Sequence, residues 1–155
     1  NRCGQLDYGN GALAAATIKT AYNKMNLSFM KAFTSGIMCN ILVCLAVLLA
    51  GVCQDAIGKI FACFFPIWAF VIAGYEHCVA NMYYIPAGLL AKHGEAYYNA
   101  AIMAGMTPDQ LDSMTVGKFF LNNLLPVTLG NIVGGVVFVA LPLYLIYRNK
   151  NKAEA

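Results

Sequence analysis

The sequence predicts an all-α, polytopic membrane protein with three membrane-spanning segments, the middle one broken. Three observations carry this. Apolar residues make up 60% of the 155 residues and charged residues only 11%, against about a quarter charged in soluble domains. The apolar residues gather in three long stretches. A proline, a glycine and a Glu-His pair interrupt the second of them. With only 10 basic and 7 acidic residues, net charge +3, the chain cannot clothe a water-exposed surface. The composition excludes an ordinary soluble globular domain, a disordered chain and a nucleic-acid binder.

The chain opens at Asn1, without methionine and without the basic, apolar and small-residue pattern of a signal peptide. It reads as a processed or trimmed piece whose membrane segments direct insertion themselves. Residues 1–27 are expected to form a polar segment and a short helix at the outer side. Within them, residues 11–26 are alanine-rich and carry Lys19 and Lys24, too short and too polar to cross a bilayer. Residues 28–155 form the membrane region and its basic tail. The first span, about 28–53, is apolar except for Lys31, Asn40 and small hydroxyl residues; at about 1.5 Å per residue it crosses with some tilt. A tight turn, Gln54-Asp55-Ala56, follows.

The second span, 57–92, is too long for one straight crossing. Pro66 removes a backbone donor and Gly74 loosens the chain. These features predict a half-helix, an irregular stretch near 67–76, and a second half-helix. Irregular backbone at membrane depth is tolerated only where it is buried or lines a wet cavity. A break carrying Glu76 and His77 therefore points to a permeation path. Residues 93–117 are polar, with a helix start at Thr107-Pro108. The third span, about 119–147, holds Asn122, Asn123 and Asn131, and the pair Gly130 and Gly134 on one face, where a neighbouring helix can approach closely. Of the six cysteines, all but Cys3 lie in or beside apolar stretches and none forms a C-x-x-C pair. They read as small apolar fillers, with no metal or cofactor site.

The basic tail, Arg148, Lys150 and Lys152, suggests a cytoplasmic C-terminus. Three crossings then leave four Lys and Arg inside (Lys59 and the three of the tail) and six outside (Arg2, Lys19, Lys24, Lys31, Lys92, Lys118). The positive-inside rule alone does not support that orientation. Either it is reversed or the outer cations serve another purpose.

His77 is the sharpest single signal, since an imidazole exchanges a proton near neutral pH; the bland alternative is a buried histidine bonded to a carbonyl. His77 and Asn81 are four apart and share a helical face, and Asn81 is expected, with Glu76 and Asn131, to support the irregular loop. Glu76 is costly at this depth unless bonded; it reads as holding the irregular loop, with tuning of His77 as the other role. Asn40, three residues before Val43, reads equally as a path-lining group or as a link to another helix. Phe70 and Trp68 fall in the irregular stretch, as packing or as a gate. Asn131 either glues helices or supports the loop. Lys24 is either a solvated surface charge or an anion-attracting one.

Three blocks then carry a resemblance: Tyr75-Glu76-His77-Cys78-Val79-Ala80-Asn81-Met82 running into Ile85-Pro86; Gly36-Ile37-Met38-Cys39-Asn40 with Leu42-Val43-Cys44-Leu45-Ala46; and residues 125–135, LPVTLGNIVGG. Together, and in this order, they resemble the formate/nitrite transporter family. The resemblance implies a homopentamer in the inner (plasma) membrane, each subunit an aquaporin-like fold of six helices in two inverted halves. The three spans correspond to the second half. A companion N-terminal half of the same subunit is implied as a partner, along with the lipid bilayer and a small monovalent anion (formate, nitrite or hydrosulfide). By position, the resemblance makes His77 the central pore histidine, Phe70 an aromatic of the outer constriction with Asn40 near it, Val43 part of the inner constriction, and Lys24 a vestibule lysine. Two rival classes fit these residues less well. In a redox-enzyme membrane subunit His77 and His93 would ligate haem, but sixteen residues apart on one stretch they cannot clamp one haem from opposite sides. A passive membrane anchor has no need of a Glu-His pair in a broken span.

Overall fold

The computed structural model describes residues 4–153, the last four by backbone alone. Arg2 and Cys3 lie outside the described residues, as do the side chains of Lys150 and Lys152. A 3-10 turn, Gln5–Asp7, precedes α1 (Ala12–Met25), α2 (Phe29–Val52), α3 (Ala56–Ile72), α4 (Cys78–Ala91), α5 (Glu95–Met103) and α6 (Pro108–Asp112). A continuous helical run follows: α7 (Val116–Lys118), a π-helical stretch Phe119–Leu124, α8 (Leu125–Gly135), a second π-helical stretch Val136–Ala140, and α9 (Leu141–Ala153). No strand occurs among the described residues. Two helical segments, Phe29–Val52 and Val116–Asn149, are long and apolar enough to cross a membrane, and α3 and α4 are shorter apolar helices.

The chain divides into two units, residues 1–29 with 79–125, and residues 30–78 with 126–155. The first has a true core. The buried residues of α1 are Ala14, Ala15, Ile18, Ala21 and Met25, a stripe at helical period. All of them but Ala14 pack with Ile85 and Ala91 of α4, Ala101 of α5, and Met106, Leu111, Met114 and Phe119. On α4, Gly88 lets α1 come close: a Cβ there would overlap the Ala21 methyl and stand 3.0 Å from the Thr17 carbonyl oxygen. So α1 is a core element of this unit, and the polar segment 93–117 contains a helix, α5, that composition alone did not announce. α5 ends at Gly105, whose φ of +89° is left-handed, and the amides of Gly105 and Met106 turn back to the carbonyls of Ile102 and Ala101.

The predicted start at Thr107 is present as a capping box. The Gln110 amide donates to Thr107 Oγ1 at 3.3 Å, and Gln110 Oε1 accepts from the Thr107 amide at 3.0 Å. Lys92, at the far end of α4, donates its ammonium to the carbonyls of Leu111 (3.0 Å) and Met114 (2.7 Å). A cation thus closes the carbonyl end of α6. Lys92→Met leaves both acceptors without this donor. It is expected to weaken the unit by about 2 kcal/mol, read as faster amide hydrogen exchange across residues 106–114, with Lys92→Arg restoring protection in part.

In the second unit α2 and α8 touch backbone to backbone. A Cβ at Gly130 would overlap the Phe33 carbonyl oxygen, and one at Gly134 the Ile37 carbonyl oxygen. At Gly36 it would lie 2.8 Å from the Val127 carbonyl oxygen. The sequence-predicted close approach on the Gly130–Gly134 face is therefore made, and α2 is what approaches. On α3, Pro66 is buried while Ile57, Ile60, Phe61, Phe64, Phe65, Trp68 and Val71 are exposed.

Candidate functional site

The interruption of the second apolar stretch falls at residues 73–77, not at 67–76 as the sequence suggests. Pro66 sits inside α3 without breaking it, so Phe70 and Trp68, expected in irregular backbone, are helical. The proline loses one backbone bond, yet it is buried and the helix runs on through it to Ile72. Gly74 ends the helix. Its φ of +67° is left-handed, and the amides of Gly74 and Tyr75 fold back to the carbonyls of Val71 (3.1 Å) and Phe70 (3.0 Å). Tyr75, Glu76 and His77 then run without helical bonds until α4 begins at Cys78.

Backbone polar groups left without helical partners must find others. Asn131 of α8 supplies most of them. Its Nδ2 donates to the Glu76 carbonyl at 3.1 Å and to the Gly36 carbonyl at 2.8 Å. Its Oδ1 accepts from the Cys78 amide at 3.0 Å. One carboxamide therefore grips the main chain on both sides of His77. Ser35 Oγ of α2 accepts from the Glu76 amide at 3.0 Å. Asn40 of α2 donates its Nδ2 to the Asn131 carbonyl at 2.6 Å, which holds Asn131 in turn. Glu76 is 5% exposed, and His77 is half-buried. The imidazole stacks on the Phe70 ring, with centroids 5.9 Å apart and planes 25° apart.

Phe70, Glu76, His77, Asn40 and Asn131 are thus gathered in one unit around one break. Val43 lies half-buried on α2, three residues beyond Asn40. Trp68 is exposed and stacks on Phe64 at 6.0 Å. Lys24 and Asn81 belong to the other unit. There the Lys24 ammonium stands 5.7 Å from the centroid of the Tyr84 ring, a cation–π distance. Asn81 Nδ2 donates to Asn123 Oδ1, and Asn123 Nδ2 to the Lys24 carbonyl, each at 2.8 Å. Both asparagines are fully buried. Asn81 thus fastens α4 to the first π-helical stretch, which is itself fastened to the end of α1. Sequence reasoning assigned no role to Ser35 or Asn123. Asn123 carried a signal, a second amide beside Asn122 in an apolar run; Ser35 carried none. Among the described residues no group of three His, Cys, Asp or Glu is placed to hold a metal ion. The arrangement offers one titratable ring beside one aromatic ring, at a helix break fixed by neutral amides.

A family model described as formate/nitrite transporter matches residues 3–145. A probable formate transporter of Methanothermobacter thermautotrophicus is 45% identical over 122 residues, 79% of this chain and 37% of that protein. The formate channel FocA of Escherichia coli (strain K12) is 34% identical over 150 residues, 96% of this chain and 52% of that protein. Among solved structures, a pentameric formate channel with formate bound superposes with a TM-score of 0.84 at 36% identity, over 94% of this chain and 57% of that one. The chain spans about half the length, or less, of these curated relatives.

Proposed function

This chain belongs to the formate/nitrite transporter family, and we propose that it supplies the C-terminal half of a channel subunit for small monovalent anions of weak acids. The observation that carries the proposal is the interruption at residues 73–77, with His77 bracketed by the two bonds from Asn131 and stacked on Phe70. A companion half completes the subunit, in keeping with the greater length of the relatives. Five subunits assemble, by analogy with the pentameric structure of similar fold. The chain is embedded in the membrane, with its C-terminal tail assigned to the cytoplasm on its basic residues.

In this reading the anion gathers at an outer vestibule near Lys24, because a fixed cation beside low-dielectric walls raises local anion concentration. Apolar constrictions, to which Phe70 and Val43 contribute, remove its water. A bare anion there is very costly. His77 answers that cost by donating a hydrogen bond or a proton, since a weak acid in neutral form crosses an apolar ring more readily than its anion. Asn40, Glu76 and Asn131 keep the imidazole in place. Formate, nitrite and hydrosulfide all satisfy this chemistry.

The test is uptake of the three anions into proteoliposomes carrying the assembled protein. Flux is expected, and it should change with pH across about 5 to 8, where imidazole titrates. His77→Asn, which cannot carry a proton, is expected to flatten that profile. Absence of flux would remove the channel reading. Flux with an unaltered profile in His77→Asn would remove only the role of the proton.

A further inference from the structure

An ammonium on a flexible four-carbon stem spreads its charge over a wide volume unless something confines it. Lys24, half-buried in the last turn of α1, is gripped at both ends. Its carbonyl is one of the last four of the helix, which have no partner inside it. The two before it are met locally, Tyr22 by Asn26 Nδ2 at 2.7 Å and Asn23 by the Asn26 amide at 3.3 Å. The Lys24 carbonyl is met from 99 residues away, by Asn123. Because Asn123 Oδ1 is committed to Asn81 Nδ2, the carboxamide turns its nitrogen toward α1. At the tip of the side chain the ammonium faces the Tyr84 ring, 5.7 Å from its centroid. An aromatic face attracts a cation without cancelling its charge. Asn81 and Tyr84 are three apart on α4 and share a face, so one face of one helix sets both grips. Tyr84 also lines an open cavity of about 810 Å³, along with Thr17 and Thr20 of α1. These two fall seven and four residues before Lys24, on the same face of that helix. The confined charge therefore stands at the border of space that a small anion can enter.

Two fully buried carboxamides are a costly way to finish a helix that a glycine or water can finish. Resting on the channel reading above, and on the anion-gathering role of Lys24 within it, we propose that Asn123 and Tyr84 are positioning residues for that role. Asn123 fixes the point from which the Lys24 side chain springs. The Tyr84 ring fixes where its charge comes to rest. An approaching anion then meets that charge at one place, where the potential is stronger than that of a wandering lysine. In the bland alternative, Asn81, Asn123 and Tyr84 only stitch their unit together. That role predicts lost stability with no change in how flux depends on formate and salt, and it is an outcome of the test.

The assembled protein in proteoliposomes, with formate as the probe, distinguishes the two. At about 0.01 M ionic strength, where charges act over about 30 Å, Lys24→Gln should raise the half-saturating formate concentration about threefold to tenfold. Asn123→Ala and Tyr84→Leu should each raise it about twofold to fivefold, with little change in the flux at saturation. At about 1 M, where charges act over about 3 Å, all three shifts should vanish. Tyr84→Phe keeps the ring and should behave as the unmodified protein. Added to Lys24→Gln, neither Asn123→Ala nor Tyr84→Leu should shift half-saturation further. Tyr84 is 45% exposed, so its variants decide alone if Asn123→Ala fails to assemble. Half-saturation in Asn123→Ala or Tyr84→Leu equal to that of the unmodified protein at low salt overturns the inference. So does a shift that persists in the Lys24→Gln background. Lys24→Gln without effect overturns it as well, while formate flux and its His77-dependent pH profile keep the channel reading. An unmodified protein that carries no formate takes down that reading and this inference together.

Discussion

Asn131→Asp is expected to dismantle the interruption at residues 73–77 and, in the proposed channel, to abolish anion flux. The substitution keeps the size of the side chain and the acceptor facing the Cys78 amide. It replaces the donor shared by the Glu76 and Gly36 carbonyls with a carboxylate oxygen, so two attractive contacts become repulsive ones at a site only 6% exposed. An unpaired buried charge also has to be accommodated. Stranding a buried polar group costs about 1–3 kcal/mol; with two carbonyls stranded, Asn131→Asp should lose roughly 3–5 kcal/mol. Asn131→Ala, which strands the same carbonyls and the Cys78 amide without adding charge, should be destabilised less. Hydrogen exchange of the Cys78 amide reports the change directly. If its protection matches that of the unmodified protein in both variants, the carboxamide is not what secures the break.

The other large effect belongs to the glycines of α8. Gly130→Val or Gly134→Val places a branched side chain against the carbonyl oxygen of Phe33 or Ile37. Those obstacles are main chain and cannot rotate away, so α2 and α8 must separate. Overpacking usually costs about 1–3 kcal/mol and occasionally more, and contact with rigid backbone puts these substitutions at or above about 3 kcal/mol. Separation also carries Asn131 away from Gly36 and breaks the 2.8 Å bond between them. Thermal unfolding in detergent measures the loss. Gly51→Ala is the control: a Cβ there meets nothing within 4 Å, and near the end of α2 alanine is the better helix former by up to about 1 kcal/mol. Equal losses at Gly51 and Gly134 would mean that the glycines act through helix propensity rather than close approach.

Much of this was legible because composition and spacing record the helices directly. Residues 29–52 are apolar but for Lys31, Asn40 and two small hydroxyl residues, and Gly130 and Gly134 show a smooth face before any partner is known. The Glu76-His77 pair likewise marks an interruption from sequence alone. Its boundaries were not legible, because Pro66 and Gly74 both look like helix breakers. Only packing decides between them: the buried Pro66 is carried through, while Gly74 adopts a left-handed backbone that closes α3. The partner of Asn131 was equally hidden. The three carbonyl and amide groups that it serves lie 53 to 95 residues away in the chain, and no local pattern encodes so distant a contact. The helix of residues 95–103 escaped notice for the opposite reason, being short and set in a stretch whose acidic and turn residues pass as a connection.

The distance between the break and its support matters for how the protein is made. Glu76 and Asn131 are 55 residues apart, so at about 5–20 residues per second a ribosome emits the unwound segment roughly 3 to 11 s before the carboxamide that secures it. During that interval the nascent strand must keep its exposed amides hydrated or sheltered by the insertion machinery. The final shape at the imidazole is therefore a late event of biogenesis, and a polypeptide released before residue 131 should leave the Cys78 amide open to solvent exchange.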